Sequence, residues 1–254
     1  MARDAVSEVR SSAPYAILIE AMTGVVLFEK NADELMPPSS MAKLMTAEFV
    51  FKAIREGRLR PDDQFAISEN AWRRGGETSG VSTMYAALNS QVTILDLLRG
   101  ALVVSGNDAC IALAEGMAET EAKFAIKLNE RARELGLTKS NFSNATGLPN
   151  PDLRVTSREL AKLARHIIWT YPEFYEICGE REFTWNNILQ QNRNPLLFMG
   201  IGADGMKTGF TDDAGYGLVG SAVRDDIRLI VVVNGLRTDK ERGAEARKLL
   251  EWGL

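Results

Sequence analysis

Three short motifs carry side chains that could act together on a peptide bond. Ser40-Met41-Ala42-Lys43 sets a hydroxyl and an amine three residues apart, so on a helix both project from one face. A lysine lodged in the apolar run Leu44 to Ile54 would need a partner, and desolvation or a nearby cation would lower its pKa until the neutral amine could take a proton from serine. A helix N-cap serine beside a snorkelling lysine gives the same spacing, so this motif alone decides nothing. Ser105-Gly106-Asn107 offers a hydroxyl that can relay a proton and an amide that can both donate and accept toward a peptide. A plain interhelical loop would read the same way, and Ser68-Glu69-Asn70 repeats the pattern. Lys207-Thr208-Gly209 then offers a cation, a hydroxyl donor and close backbone approach along a strand edge, a combination suited to a substrate carboxylate.

The elements that must position these groups follow from periodicity and punctuation. Tyr15 to Glu20, a Met22-Thr23-Gly24 turn and Val25 to Phe28 predict a hairpin. Pro37-Pro38 before an almost uncharged stretch predicts a buried helix starting near Ser40. From Arg60 to about Ile168 the pattern is mostly helical, with one helix over Phe124 to Leu137 stopping at Gly136. A strand through Lys207, strands over Tyr216 to Val223 and Ile227 to Asn234, and a helix from Asp239 to Trp252 complete the chain. The first and last segments must therefore share one sheet. Arg73 to Gly80, polar and then glycine-rich, reads as a mobile loop.

Composition excludes several classes. With 45% hydrophobic and 25% charged residues in 254, the chain is globular and long enough for one large domain or two intimate lobes. Thirty Lys and Arg against 34 Asp and Glu leave no basic surplus for nucleic acid. No apolar run reaches 18 residues, and Met1 to Ser12 lacks the apolar core of a secretory signal. Gly215-Tyr216-Gly217-Leu218-Val219-Gly220 has the spacing of a dinucleotide fingerprint but falls within a strand pattern with no helix after it. His166, the only histidine, sits on an amphipathic helix and reads as packing. Asp212-Asp213 and Asp225-Asp226 read as solvated turns, and Cys110 and Cys178 as small buried hydrophobes that neither require nor exclude a bridge.

Taken in order, S-x-x-K, S-x-N and K-T-G, with 65 and then 102 residues between their first members, form a known motif set. With Gly24-Val25-Val26-Leu27, Asp96-Leu97-Leu98-Arg99-Gly100, Gln191-Asn192-Arg193-Asn194 and Asp204-Gly205-Met206 beside it, the chain from about Tyr15 to Leu254 closely resembles one family. That family is the low-molecular-mass penicillin-binding proteins that are D-alanyl-D-alanine carboxypeptidases, peptidase family S11. The resemblance implies an α+β, three-layer α/β/α fold of the serine β-lactamase and D,D-peptidase type, an antiparallel sheet flanked by helices with a helical lobe. It implies one catalytic domain over residues 1–254, with 15–59 and about 170–254 in the sheet-containing lobe and about 60–169 in the helical one. Relatives add a signal peptide before and a β-rich domain with an amphipathic anchor after this region, so the resemblance implies a trimmed chain. The expected work is periplasmic or otherwise extracytoplasmic, at the outer face of the inner membrane, with membrane association only through segments absent here.

The roles implied by resemblance are specific. Ser40 is the nucleophile, Lys43 its base, and Ser105 with Lys207 the route of a proton to the leaving D-alanine. Asn107 orients the substrate, and the backbone N–H groups of Ser40 and Phe210 hold the oxyanion. Lys207, Thr208, Arg193 and Arg242 hold the terminal carboxylate, with Gly209 allowing the approach. No metal and no cofactor are implied. The partners are a peptidoglycan stem peptide ending in D-Ala-D-Ala and β-lactam antibiotics, and no nucleic acid. Ala42, Phe210 and Thr146 stand where relatives often carry threonine, histidine and histidine. A D,D-endopeptidase or a serine β-lactamase would share the three motifs, but S-x-E-N, usual in the first, and E-x-x-L-N, usual in class A members of the second, are both missing.

Overall fold

The computed structural model describes residues 8–254, so most of Met1 to Ser12 lies outside the described residues. In chain order the elements are β1 (Tyr15–Glu20), β2 (Val26–Lys30), α1 (Lys43–Arg55), β3 (Gln64–Ala66), α2 (Glu69–Gly75), β4 (Gln91–Thr93), α3 (Ile94–Val103), α4 (Asn107–Ala118) and α5 (Glu121–Glu134). There follow α6 (Ser157–Thr170), α7 (Pro172–Tyr175), β5 (Glu182–Trp185), β6 (Ile188–Gln191), β7 (Ala203–Thr211), β8 (Gly215–Arg224), β9 (Ile227–Leu236) and α8 (Asp239–Gly253). Short 3₁₀ turns occupy Ser39–Ala42, Glu176–Gly179 and Pro195–Phe198.

The main sheet runs β2-β1-β9-β8-β7 and is antiparallel throughout. Its apolar residues divide by strand alternation. Ile17 and Ile19 of β1 with Ile230 and Val232 of β9 face the helical mass, while Ala16, Leu18, Leu229, Val231 and Val233 face Ala246, Leu249 and Leu250 of α8. Both sheet faces are therefore buried, which is why Leu229 to Val233 of β9 read as a continuous apolar run. Pairing of Ile17 with Val232 joins the two ends of the described chain in one sheet, as the strand pattern predicted. At the edge strand β7 the sheet meets the Ser39–Ala42 turn and the Glu176–Gly179 turn, and there the motifs converge.

Several details differ from the sequence reading. The helix expected from Ser40 begins at Lys43, because Ser39–Ala42 is a 3₁₀ turn. The helix placed over Phe124 to Leu137 starts three residues earlier, where the Thr120 hydroxyl accepts from Lys123 N at 3.1 Å, and Gly136 beyond its end sits at φ +78°. The β5–β6 hairpin was unforeseen; its turn residues Asn186 and Asn187 have φ +49° and +59°, the left-handed pair that a tight hairpin demands. α1 packs among α3, α4 and α5, whereas α6 lies on β9 and β1. Nor is Arg73 to Gly80 all loop: its first three residues close α2, and Gly75 packs so tightly that a Cβ there would lie 2.2 Å from Asp108 N.

Candidate active site

Ser40 and Lys43 meet because a 3₁₀ turn has three residues per turn, which eclipses positions i and i+3. Lys43 Nζ lies 2.8 Å from Ser40 Oγ, 3.0 Å from Asn107 Oδ1 and 2.8 Å from Thr146 O, and donates to all three. Every one of these acceptors is formally neutral. Lys43 is completely buried, and burial brings its amine down from 10.5 to about 8.

The turn bearing Ser40 is clasped from two sides. Gly147, at φ +87°, leaves so little room that a Cβ would fall 2.0 Å from Ser39 O. On the other side a Cβ at Gly209 would lie 2.2 Å from Ser39 Oγ and 3.0 Å from Ser40 N. Only glycine lets the β7 edge pass there. Ser39 itself adopts φ +47°, with its hydroxyl donating to Pro38 O at 2.7 Å. The segment carrying Thr146 is fixed by Asn144 Oδ1, which accepts from Gly147 N, and by Thr46 Oγ1 of α1, which donates to Ala145 O at 2.8 Å.

Ser105 and Asn107 flank the Gly106 cap of α4, with Ser105 held at φ +58°. Asn107 does not face the cavity as a free amide. Its Oδ1 accepts from Lys43, and its Nδ2 donates to Ser82 O at 3.1 Å, so both ends serve the protein. Lys207, 2% exposed, donates to Thr208 O at 2.9 Å. Burial depresses its pKa well below the usual value, and the Lys43 and Arg193 cations act in the same direction. Among the described residues no hydrogen bond links Lys207 to Ser105.

A cavity of about 320 Å³ opens over these groups, lined by Ser40, Ser105, Arg193, Thr208, Gly209 and Phe210 among others. Arg193 donates to Ser82 Oγ at 2.7 Å and to Gln190 Oε1 at 3.4 Å, and pairs with no Asp or Glu among the described residues. Arg242 is 6% exposed and already engaged: it donates to Gly209 O at 3.3 Å and to Asp239 Oδ1 at 2.5 Å. The terminal-carboxylate role expected of both arginines therefore fits Arg193 better.

Three lining or supporting residues, Asp108, Tyr216 and Asp239, were not singled out as such in the sequence. Ser82 joins Arg193 to Asn107 through its hydroxyl and carbonyl. Asp108, buried directly after S-x-N, accepts from Met84 N, Ala86 N and Thr83 Oγ1 and so ties the 82–86 segment to α4. Burial raises its pKa against those bonds. Its place beside the motif was a readable signal. Tyr216 and Asp239 reach the cavity from β8 and α8, and nothing local in the sequence marks them. His166 lies on α6 against Glu48, outside the cavity lining, and Cys110 and Cys178 are buried and unpaired, their thiols pushed up to about 11 and about 12 by burial.

Residues 2–238 match the sequence profile of peptidase family S11, D-alanyl-D-alanine carboxypeptidase. The chain is 43% identical over 240 residues to the D-alanyl-D-alanine carboxypeptidase DacC of Escherichia coli, covering 94% of this chain and 60% of that one. It thus spans about three-fifths of the length of the curated relatives it matches. Penicillin binding protein 5 of Haemophilus influenzae superposes with a TM-score of 0.94 at 40% identity, over 98% of this chain and 72% of that one. Penicillin-binding protein D2 of Listeria monocytogenes, in its ampicillin-bound form, superposes with 0.86 at 31% identity, over 97% and 99%. The sheet and helices described above are thus the D,D-peptidase fold, the one shared with serine β-lactamases.

Proposed function

The chain belongs to the D-alanyl-D-alanine carboxypeptidase family, peptidase family S11, and on that premise we propose that it removes the terminal D-alanine from peptidoglycan stem pentapeptides through a serine acyl-enzyme. The observation that carries this reading is the set of partners around Lys43 Nζ. A neutral amine has two N–H bonds and one lone pair. Asn107 Oδ1 and Thr146 O can only accept, so they take the two N–H bonds and leave the lone pair for the Ser40 hydroxyl. The site thus orients the base for one proton.

Ser40 attacks the carbonyl between the last two D-alanines while Lys43 takes its proton. The N–H groups of Ser40 and Phe210 receive the oxyanion, a contribution worth on the order of 3–4 kcal/mol per donor in other enzymes. The leaving nitrogen must depart as a neutral amine, and on this reading Ser105 and Lys207 supply that proton, which requires Lys207 to turn from Thr208 O. Arg193 and Thr208 hold the substrate carboxylate, supported by the Arg193 guanidinium meeting no acid among the described residues. Asn107 acts by orienting Lys43. Water then releases the peptide. Penicillins, which present a reactive amide in the same place, acylate Ser40. On this reading residues 1–254 act as one catalytic domain. It works on a polymer outside the inner membrane, and any attachment to that membrane's outer face belongs to segments other than those described above.

Mass spectrometry of products from a synthetic stem pentapeptide tests this directly. Loss of one D-alanine from the free terminus is expected. An intact pentapeptide, or cleavage only of crosslinked dimers, would overturn the reading, the second outcome in favour of an endopeptidase.

A further inference from the structure

The bond from Arg242 falls on a particular carbonyl. Gly209 O and Phe210 N–H belong to one peptide plane and, in a trans peptide, point in opposite directions. Arg242, on α8, donates to Gly209 O at 3.3 Å, so the N–H at the other end of that plane is directed away from α8. Gly209 at the same time presses against Ser40 N, where a Cβ would lie 3.0 Å away. A cation on the carbonyl draws electron density from the peptide and makes its N–H a stronger donor, as in any polarised hydrogen-bond chain.

The same peptide is fixed a second way. Phe210 stacks on Tyr216 with ring centroids 4.1 Å apart and an interplanar angle of 26°. The Arg242 guanidinium lies over the far partner of that pair, 5.2 Å from the Tyr216 centroid. Guanidinium, Tyr216 and Phe210 therefore form one stack that begins and ends on the Gly209–Phe210 peptide. Asp239 anchors the Arg242 fork through the second amino group, and the buried Arg242 Nε has no hydrogen-bond partner among the described residues.

We propose that Arg242 is a positioning residue that orients and polarises the Gly209–Phe210 peptide as an oxyanion donor, and is not an anchor for the substrate carboxylate. This rests on the carboxypeptidase reading above. It separates two arginines that share a cavity: Arg193 binds the terminus of the substrate, while Arg242 acts on the transition state through the backbone.

The test compares parent, Arg242→Met and Arg242→Lys on a D-Ala-D-Ala peptide and its C-terminal amide, with a peptide boronate that forms a tetrahedral adduct on serine as a third probe. A transition-state role predicts that Arg242→Met loses kcat/KM by about tenfold on acid and amide alike, a fraction of the 10²–10³ seen when a whole oxyanion donor is removed. The loss should fall in kcat with KM little changed, and boronate affinity should fall by the same factor. A loss on the acid that disappears on the amide would make Arg242 a carboxylate anchor and overturn the proposal, as would unchanged boronate affinity. Arg242→Lys, which keeps the cation but cannot serve Asp239 and Gly209 O together, applies the same equal-factor criterion if the methionine variant does not fold. Failure of the parent to cleave the acid would instead sink the carboxypeptidase reading itself.

Discussion

Helix α1 carries two buried ionisable residues five positions apart, and the protein treats them in opposite ways. Glu48 is saturated with charge: Arg131 donates to it from Nε at 3.1 Å and from Nη2 at 2.8 Å, Tyr171 OH donates at 3.2 Å, and His166 Nε2 lies 3.1 Å away. Burial pushes its carboxyl up, but the bonds from His166 and Arg131 outweigh burial and hold the pKa below 4.5. Lys43 donates only to neutral acceptors; burial is the largest influence on its amine and lowers its pKa, the Arg193 cation adds to that, and the Asp108 carboxylate, which makes no hydrogen bond to it, opposes it. The Lys43 pKa falls to about 8. A buried charge that is compensated stays ionised, and removing one of its partners destabilises the fold. One left uncompensated is ready to lose its proton, which is a chemical property.

The contrast can be broken at either end. The largest expected effect is on stability: Glu48→Ala removes the fully buried partner of a half-buried Arg131, which keeps Glu134 at 2.8 Å, and should cost about 3 kcal/mol in denaturant unfolding, the low end for breaking a buried pair, with the penicillin acylation rate of the folded protein unchanged. Because Glu48 has a lowered pKa in the folded state, its contribution is present above about pH 4.5 and lost as pH falls through the folded value. A matching loss of acylation rate in folded Glu48→Ala would merge the two clusters into one.

Lys43→Arg is the converse. Guanidinium does not deprotonate in proteins, so acylation measured by stopped flow should slow by at least about a hundredfold. Lys43→Met, which removes a buried charge lacking an ionic partner, should melt no lower than the parent. A variant with near-normal acylation would move the base role to Ser105 with Lys207.

Much of this site was legible because its chemistry is local. Ser40 and Lys43 lie within one turn, Ser105 and Asn107 within another, and Lys207, Thr208 and Gly209 along one strand, so spacing alone brought their side chains together. The strand pattern likewise gave the central sheet, since both faces of β9 are buried and its stretch Leu229 to Val233 is apolar without break. Illegible were the contacts made across the fold. Asn107 looked like a substrate amide because no spacing rule shows that Ser82 O and Lys43 Nζ occupy both its ends. Arg242 looked like a second carboxylate anchor because Gly209 O and Tyr216 come to it from other elements. Glu48 gave no sign of its role, its three partners standing 83, 118 and 123 residues further on.

Two smaller effects sharpen the comparison. If Arg193 is the cation left free for substrate, converting the terminal carboxylate to an amide should cost about 1.5–3 kcal/mol of transition-state binding, roughly ten- to more than hundredfold in kcat/KM. Arg193→Ala should lose activity on the acid and little more on the amide, because both changes delete one interaction. Equal cleavage of acid and amide by the parent would remove the carboxylate site. The smallest effect is in pH: acylation should rise by about tenfold from pH 7 to a plateau above the Lys43 pKa of about 8, as the amine becomes neutral. Stability should rise over the interval from about 8 to 10.5, where the unfolded chain binds the proton that folded Lys43 has lost. A flat acylation profile between pH 6 and 9 would mean the base is not this amine.

The most direct measurement is peptide mapping by mass spectrometry after exposure to benzylpenicillin. The adduct should fall on the peptide containing Ser40, the hydroxyl 2.8 Å from Lys43 Nζ, and should vanish in Ser40→Ala. Label on another residue, label persisting in Ser40→Ala, or no label on the parent would contradict the assignment of Ser40 as the nucleophile.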